Sequence, residues 1–165
     1  MPSTSIVELF AQDLLTRLAL ITTGNGYEVT VGTVARPLRV TWEADTDLGD
    51  LDIIVEQGPR SRGEDDLIGG PPGVSWVQQF AIYGFRLESD TATNAVAKLN
   101  NEFAAAIEAA LAPSSAGAWW SSYIVDAAVT EVVPLESVRQ GISGFRLTFE
   151  ARLRWAESSP YTNRV

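Results

Sequence analysis

The sequence predicts an α+β domain: a mainly antiparallel or mixed β-sheet with two α-helices packed on one face. Three observations predict it. Apolar residues recur with helical spacing in two separate stretches, one at the N-terminus and one between about residues 92 and 110. Elsewhere the apolar period is two, most cleanly in "FRLTFEARLRW". The resulting order of helix, strands, helix, strands favours helices gathered on one side of a sheet over alternating βαβ units. At 165 residues, 45% hydrophobic and 20% charged, the chain has ordinary globular composition and suits one domain spanning residues 1–165.

Ser5 and Glu8 have the S-x-x-E spacing of a capping box, which marks a helix start. Ile6, Phe10, Leu14, Leu18 and Ile21 then form an apolar stripe, widened by Val7, Leu9 and Leu15 and stopped near Gly24. Past the "GNGY" turn, Tyr27, Val29 and Val31 alternate with Glu28, Thr30 and Gly32, as in a strand. After Pro37, Leu38, Val40 and Trp42 alternate with Arg39, Thr41 and Glu43, and "LDIIVEQ" supplies a third short strand.

The stretch from Gly58 to Ser75, within "QGPRSRGEDDLIGGPPGVSW", is crowded with glycine, proline and charge. It reads as a long mobile loop, and loops of that length in compact domains are usually functional or disordered. "WVQQFAIYGFRLES" resumes as a central strand, apolar on parts of both faces. Asp90 or Thr91 can cap a second helix with apolar positions Ala92, Val96, Leu99, Phe103, Ile107 and Ala110. "WWSSYIVDAAVTEVVPLE" and "FRLTFEARLRW" complete the sheet, and residues 156–165 form a short tail. In the last strand Phe145, Leu147, Phe149, Ala151, Leu153 and Trp155 share one face. Arg146, Thr148, Glu150, Arg152 and Arg154 share the other.

Composition removes several function classes. With no histidine and no cysteine, Ser-His triads, thiol nucleophiles, disulfides and ordinary zinc sites are excluded. The single lysine, Lys98, follows "NAVA" and not a glycine cradle, which excludes a Walker-type phosphate loop. A net charge of −9 repels phosphate backbones, so stable nucleic-acid binding is not expected, although an acidic wall suits a channel that DNA slides through. No apolar run approaches the roughly 20 residues of a membrane span. The opening residues lack a basic n-region and carry Glu8 and Asp13, unlike a signal peptide. The expectation is a soluble protein that stays where it is made.

The cluster Asp45, Asp47, Asp50 and Asp52 invites a metal reading, and Asp45, Asp47 and Glu56 stand at positions one, three and twelve of an EF-hand loop. Gly49 and Asp50 reverse the required acid-then-glycine order, and Glu56 lies in a strand pattern, so a solvated acidic turn is the preferred reading. Asp65 and Asp66 sit in a glycine-rich stretch, a poor scaffold for acid–base chemistry. No catalytic residue, metal ligand or cofactor site is expected, and the chain reads as a non-enzyme.

What remains points to surfaces. Adjacent Trp119 and Trp120, if in a strand, send side chains to opposite faces, which makes one an interface anchor. Arg146, Arg152 and Arg154 form either the wet side of a sheet, paired with Glu131 or Glu150, or a subunit contact. Eleven arginines against one lysine favour the contact.

An N-terminal "IVELFAQDLLTRL" helix, a "GY.V" strand, a loop-flanked central strand, a second long helix and the ending "SGFRLTFEARLRWAESSPYTN" together resemble the tail terminator, or tail-completion, proteins of tailed bacteriophages. The resemblance covers nearly the whole chain and rests on element order, size and that ending. It implies a structural virion protein: a homo-oligomeric, hexameric ring at the head-proximal end of the tail, assembled in the host cytoplasm. Such a ring caps the tail tube protein, ends polymerisation and offers a surface to the head–tail connector or neck protein, while DNA passes through the lumen without stable binding. On that reading Arg146, Arg152, Arg154, Trp119 and Trp120 serve subunit contacts. Asp45, Asp47 and Asp50 form an acidic lumen or partner face, and Arg60, Arg62, Glu64, Asp65, Asp66 and Leu67 form a partner-docking loop. Alternative readings are a neck or head–tail connector of similar ring architecture, or a small carboxylate-based metal-binding module or hydrolase.

Overall fold

The computed structural model describes residues 5–36, 48–62, 73–87, 93–135 and 141–156. Two helices, α1 (Ile6–Ala19) and α2 (Thr93–Leu111), cover one face of a five-stranded sheet. The strands are β1 (Val34–Ala35), β2 (Asp52–Arg62), β3 (Gly73–Leu87), β4 (Ile124–Pro134) and β5 (Ile142–Ala156), in spatial order β1-β2-β3-β5-β4. The short β1 runs parallel to β2, and every other pairing is antiparallel. This is the α+β class that the two apolar periods predict.

α1 begins where Ser5, in extended conformation, accepts a hydrogen bond from the Glu8 amide through its side chain (3.2 Å). The reciprocal arm of the capping box gives way to other bonds: the Glu8 carboxylate accepts from Arg36 (2.8 Å) and from Gln12 (3.3 Å). Ile6, Phe10, Leu14, Leu18 and Ile21 are all buried, as their spacing requires. α2 buries Phe103, Ile107 and Ala110 on the same side. Its expected cap at Asp90 or Thr91, and the side chains of Ala92, Val96 and Leu99, lie outside the described residues. Arg17 ties the helices together by donating to the Ala110 carbonyl near the end of α2 (2.7 Å), where orphan carbonyls and the helix dipole both favour a cation.

The inner face of the sheet follows the parity of β5. Phe145, Leu147, Phe149, Ala151 and Leu153 are all buried, while Arg146, Thr148, Glu150 and Arg152 are half-buried on the other face. Phe10 meets Phe80 of β3 edge to face, with ring centroids 5.5 Å apart, and Phe103 meets Phe145 in the same way. Gly84 makes room for that second pair, because a Cβ there would lie 2.5 Å from the Phe145 ring.

Three expectations are corrected. Tyr27–Val31 does not enter the sheet. Gly26, at φ 86°, turns the chain back along the end of α1, where the Val31 amide donates to the Ile21 carbonyl and Thr23 and Thr30 bond each other. The period of two here reflects an extended segment that buries Val29, with strand pairing starting only at Val34. The neighbouring pattern at Leu38–Trp42 lies outside the described residues.

Second, the segment from Gly58 to Ser75 is not loop throughout. β2 continues through Gly58 to Arg62, and β3 begins at Gly73, so both ends belong to one antiparallel arm with Arg62 opposite Trp76. A bulge between Gln57 and Arg60 admits the Gly58–Pro59 pair, and Gln78, fully buried, secures it by donating to the Gly58 carbonyl (2.9 Å). Residues 63–72 lie outside the described residues.

Third, β4 starts at Ile124, so Trp119 and Trp120 precede it and do not alternate across the sheet. Trp120 stacks on Phe10 (5.5 Å), lies 6.4 Å from Phe149 and donates its indole N–H to the Leu111 carbonyl (3.1 Å). It closes the core against the end of α2. Trp119 also packs against that core.

Candidate functional site

With both helices on one side, the second face of the sheet is open across its middle among the described residues. Its parity places Glu56 of β2, Gln79, Ala81 and Tyr83 of β3, Arg146, Thr148 and Glu150 of β5, and Thr130 and Glu131 of β4 around a shallow concavity of about 670 Å³. One end is closed by a small apolar cluster of Ile54, Phe85 and Ile142, flanked by Leu48 and Leu135.

The charged groups of this face are joined within the chain. Arg146 donates to Glu131 (2.7 Å), which also accepts from Thr148 (3.5 Å). Tyr83 donates its hydroxyl to Glu56 (3.0 Å), and Gln79 donates to Glu150 (2.6 Å). Burial, then the bond to Glu56, raises the Tyr83 pKa above its ordinary value, so this phenol stays a neutral donor well past neutrality. The Arg146 Nε is buried without a hydrogen-bond partner. Three carboxylates against one guanidinium leave the concavity acidic.

The expected site residues do not form one cluster. Arg146 lies on the open face but is paired with Glu131, the cross-strand option foreseen for a wet sheet face. Arg152 stands opposite Asp126 of β4 and Val77 of β3. The side chain of Arg154 lies outside the described residues, as do Asp45, Asp47, Glu64, Asp65, Asp66 and Leu67. Asp50 is a structural acceptor: its carboxylate receives the Leu87 amide (3.1 Å) and lies 4.0 Å from the Arg86 Nε. Its neighbour Asp52 receives the amides of Thr33 (2.8 Å) and Gly49 (2.6 Å). Among the described residues the acidic turn thus works as backbone capping around Leu51, which holds a left-handed φ of 60°.

Arg60 and Arg62 stand on the arm formed by β2 and β3, where Arg60 lies over the Trp76 ring at 5.0 Å. Sequence reasoning missed Gln78. Its signal is parity: it shares a face with Trp76, Phe80 and Ile82, which makes it a polar residue at a core position opposite a Gly-Pro pair.

No family model matches the chain, and no curated protein matches it. Among solved structures, a chain from one described as "Virion of native gene transfer agent (GTA) particle" aligns at 21% identity, covering 86% of this chain and 92% of that chain, with a TM-score of 0.43.

Proposed function

We propose that the protein is a structural virion component of a tailed phage-like particle, acting as a tail terminator: a ring of identical subunits that caps the tail tube, ends its polymerisation and presents a surface for head–tail joining. The observation that carries this reading is the one-sided build of the sheet. Both helices cover one face, and among the described residues the other is an open, acidic, hydrogen-bonded surface. The sequence resemblance supports it, since element order, chain size and the β5 ending resemble those of tail terminators, whose sheet-with-helices layout is similar to this fold. The mechanism is steric and interfacial. Subunits join through their sheets, one rim meets the tube, and the net charge of −9 suits a lumen that DNA traverses without sticking.

Electron microscopy of the purified protein tests the reading, with annular particles around a central hole as the expected result. Mass measurement with and without tube protein gives the complementary readout. A chain that stays a monomer at every concentration and never associates with tube ends overturns it.

A further inference from the structure

A row of side chains joins the first turn of α1 to the root of the arm. Glu8 lies in that turn, and Arg36 follows β1 directly. Gln57 is the last paired β2 residue before the bulge, and Gln78 stands on β3 opposite Arg60, just past it. Arg36 donates through Nη1 to the Glu8 carboxylate (2.8 Å) and through Nη2 to the Gln57 Oε1. The Gln57 Nε2 donates in turn to the Gln78 Oε1 (3.4 Å), the longest link of the row. The Gln78 Nε2 then shares its two hydrogens among the carbonyls of Gly58 (2.9 Å), Pro59 (3.3 Å) and Gln79 (2.8 Å).

The two ends dictate the direction of every bond between them. A guanidinium only donates and a backbone carbonyl only accepts. Gln57 must therefore turn its oxygen to Arg36 and its amide nitrogen to Gln78, which leaves the Gln78 nitrogen for the bulge. Turning either amide over sets donor against donor or acceptor against acceptor. The two glutamines differ in setting: Gln57 is exposed, while Gln78 is wholly buried and has no water to replace a lost partner.

We propose that this row is a latch that couples α1 to the arm. The Glu8–Arg36 pair orients Gln57, Gln57 orients Gln78, and Gln78 holds the bulge from which the arm departs. Loosening the pair at α1 therefore loosens the ladder at Arg60–Arg62, on a different element. The coupling belongs to a single subunit and does not depend on the ring reading.

Hydrogen exchange on the full chain tests it. Arg36→Met should speed exchange of the Arg60–Arg62 amides bonded to β3 by about threefold or more, with α2 keeping its wild-type rates. Gln57→Glu separates the latch from simple surface pairing. It keeps and strengthens the bond from Arg36, yet sets a carboxylate oxygen against the Gln78 oxygen. The same amides should again exchange about threefold faster, where surface pairing alone would leave them unchanged or slower. In Gln78→Met the hold on the bulge is already lost, so adding Arg36→Met should speed the arm no further. Should Gln78→Met fail to fold, Gln57→Glu, at an exposed position, decides alone. Arm exchange that is unchanged or slower in Gln57→Glu overturns the latch. So do effects of Arg36→Met and Gln78→Met that multiply, or an Arg36→Met acceleration spread equally into α2.

Discussion

The two faces of this sheet are made by the same strands and do opposite things. On the helix side, Phe80 and Ile82 of β3 and Phe145, Leu147, Phe149, Ala151 and Leu153 of β5 enter an apolar layer in which Phe10, Phe80, Phe103 and Phe149 are all fully or almost fully buried. On the far side, the intervening residues carry nearly all the charge and satisfy it locally, through Arg146 with Glu131 and Tyr83 with Glu56. The first face fixes which elements pack. The second leaves a surface whose polar groups are already arranged by bonds within the chain. The contrast teaches that the strand's period of two separates a buried apolar layer from an ordered polar surface.

If that separation holds, substitutions should divide sharply by parity. Phe10→Ala removes a ring that touches both Phe80 and Trp120, and should cost about 3–5 kcal/mol in denaturant unfolding, enough to threaten folding. Gly84→Ala, also on the inner side, drives a methyl into the Phe145 and Phe103 rings and should cost about 1–3 kcal/mol by the same measurement. On the outer face, Arg146→Met should change stability by no more than about 1 kcal/mol, because the pair it breaks is 39% and 50% exposed and its buried Nε gains nothing from the protein. An Arg146→Met loss comparable to that of Phe10→Ala would break the comparison.

The smallest effect should be one of pH. Glu8 has its pKa lowered chiefly by the hydrogen bond from Arg36, against opposing burial. A carboxylate with a depressed folded pKa contributes stability that is fully present above its ordinary value, about 4.5, and is lost as pH falls through the lowered one. Glu8→Gln should therefore flatten the acid limb of the stability profile below about pH 4.5 and leave its shape near neutrality unchanged. A thermal-unfolding series across pH 2–7, run on both forms, would sharpen the point.

Parity also explains what could be read from the chain. β5 was legible residue by residue because every position of Phe145 to Leu153 obeys one alternation. α1 was legible because a stripe and a capping serine agree. The tryptophan pair was misplaced because neighbouring aromatics look alike in a strand and in a closing turn, and only the Leu111 carbonyl and the Phe10 ring tell them apart. The ends of the glycine- and proline-rich segment read as loop because local propensity opposes a strand there. Tertiary pairing with Trp76–Gln78 overrides it. For the candidate site, the arginine face was visible in outline, while its pairing with Glu131 depends on cross-strand register that no single strand encodes.

Gln78 gives the arm an unusual dependence on the interior. Its amide is sealed within the sheet yet grips the Gly58 carbonyl where β2 bulges, so the angle at which the arm departs is a property of the core. The arm's aim is inherited from a side chain that is wholly buried. Re-aiming the arm therefore requires disturbing the centre of the fold.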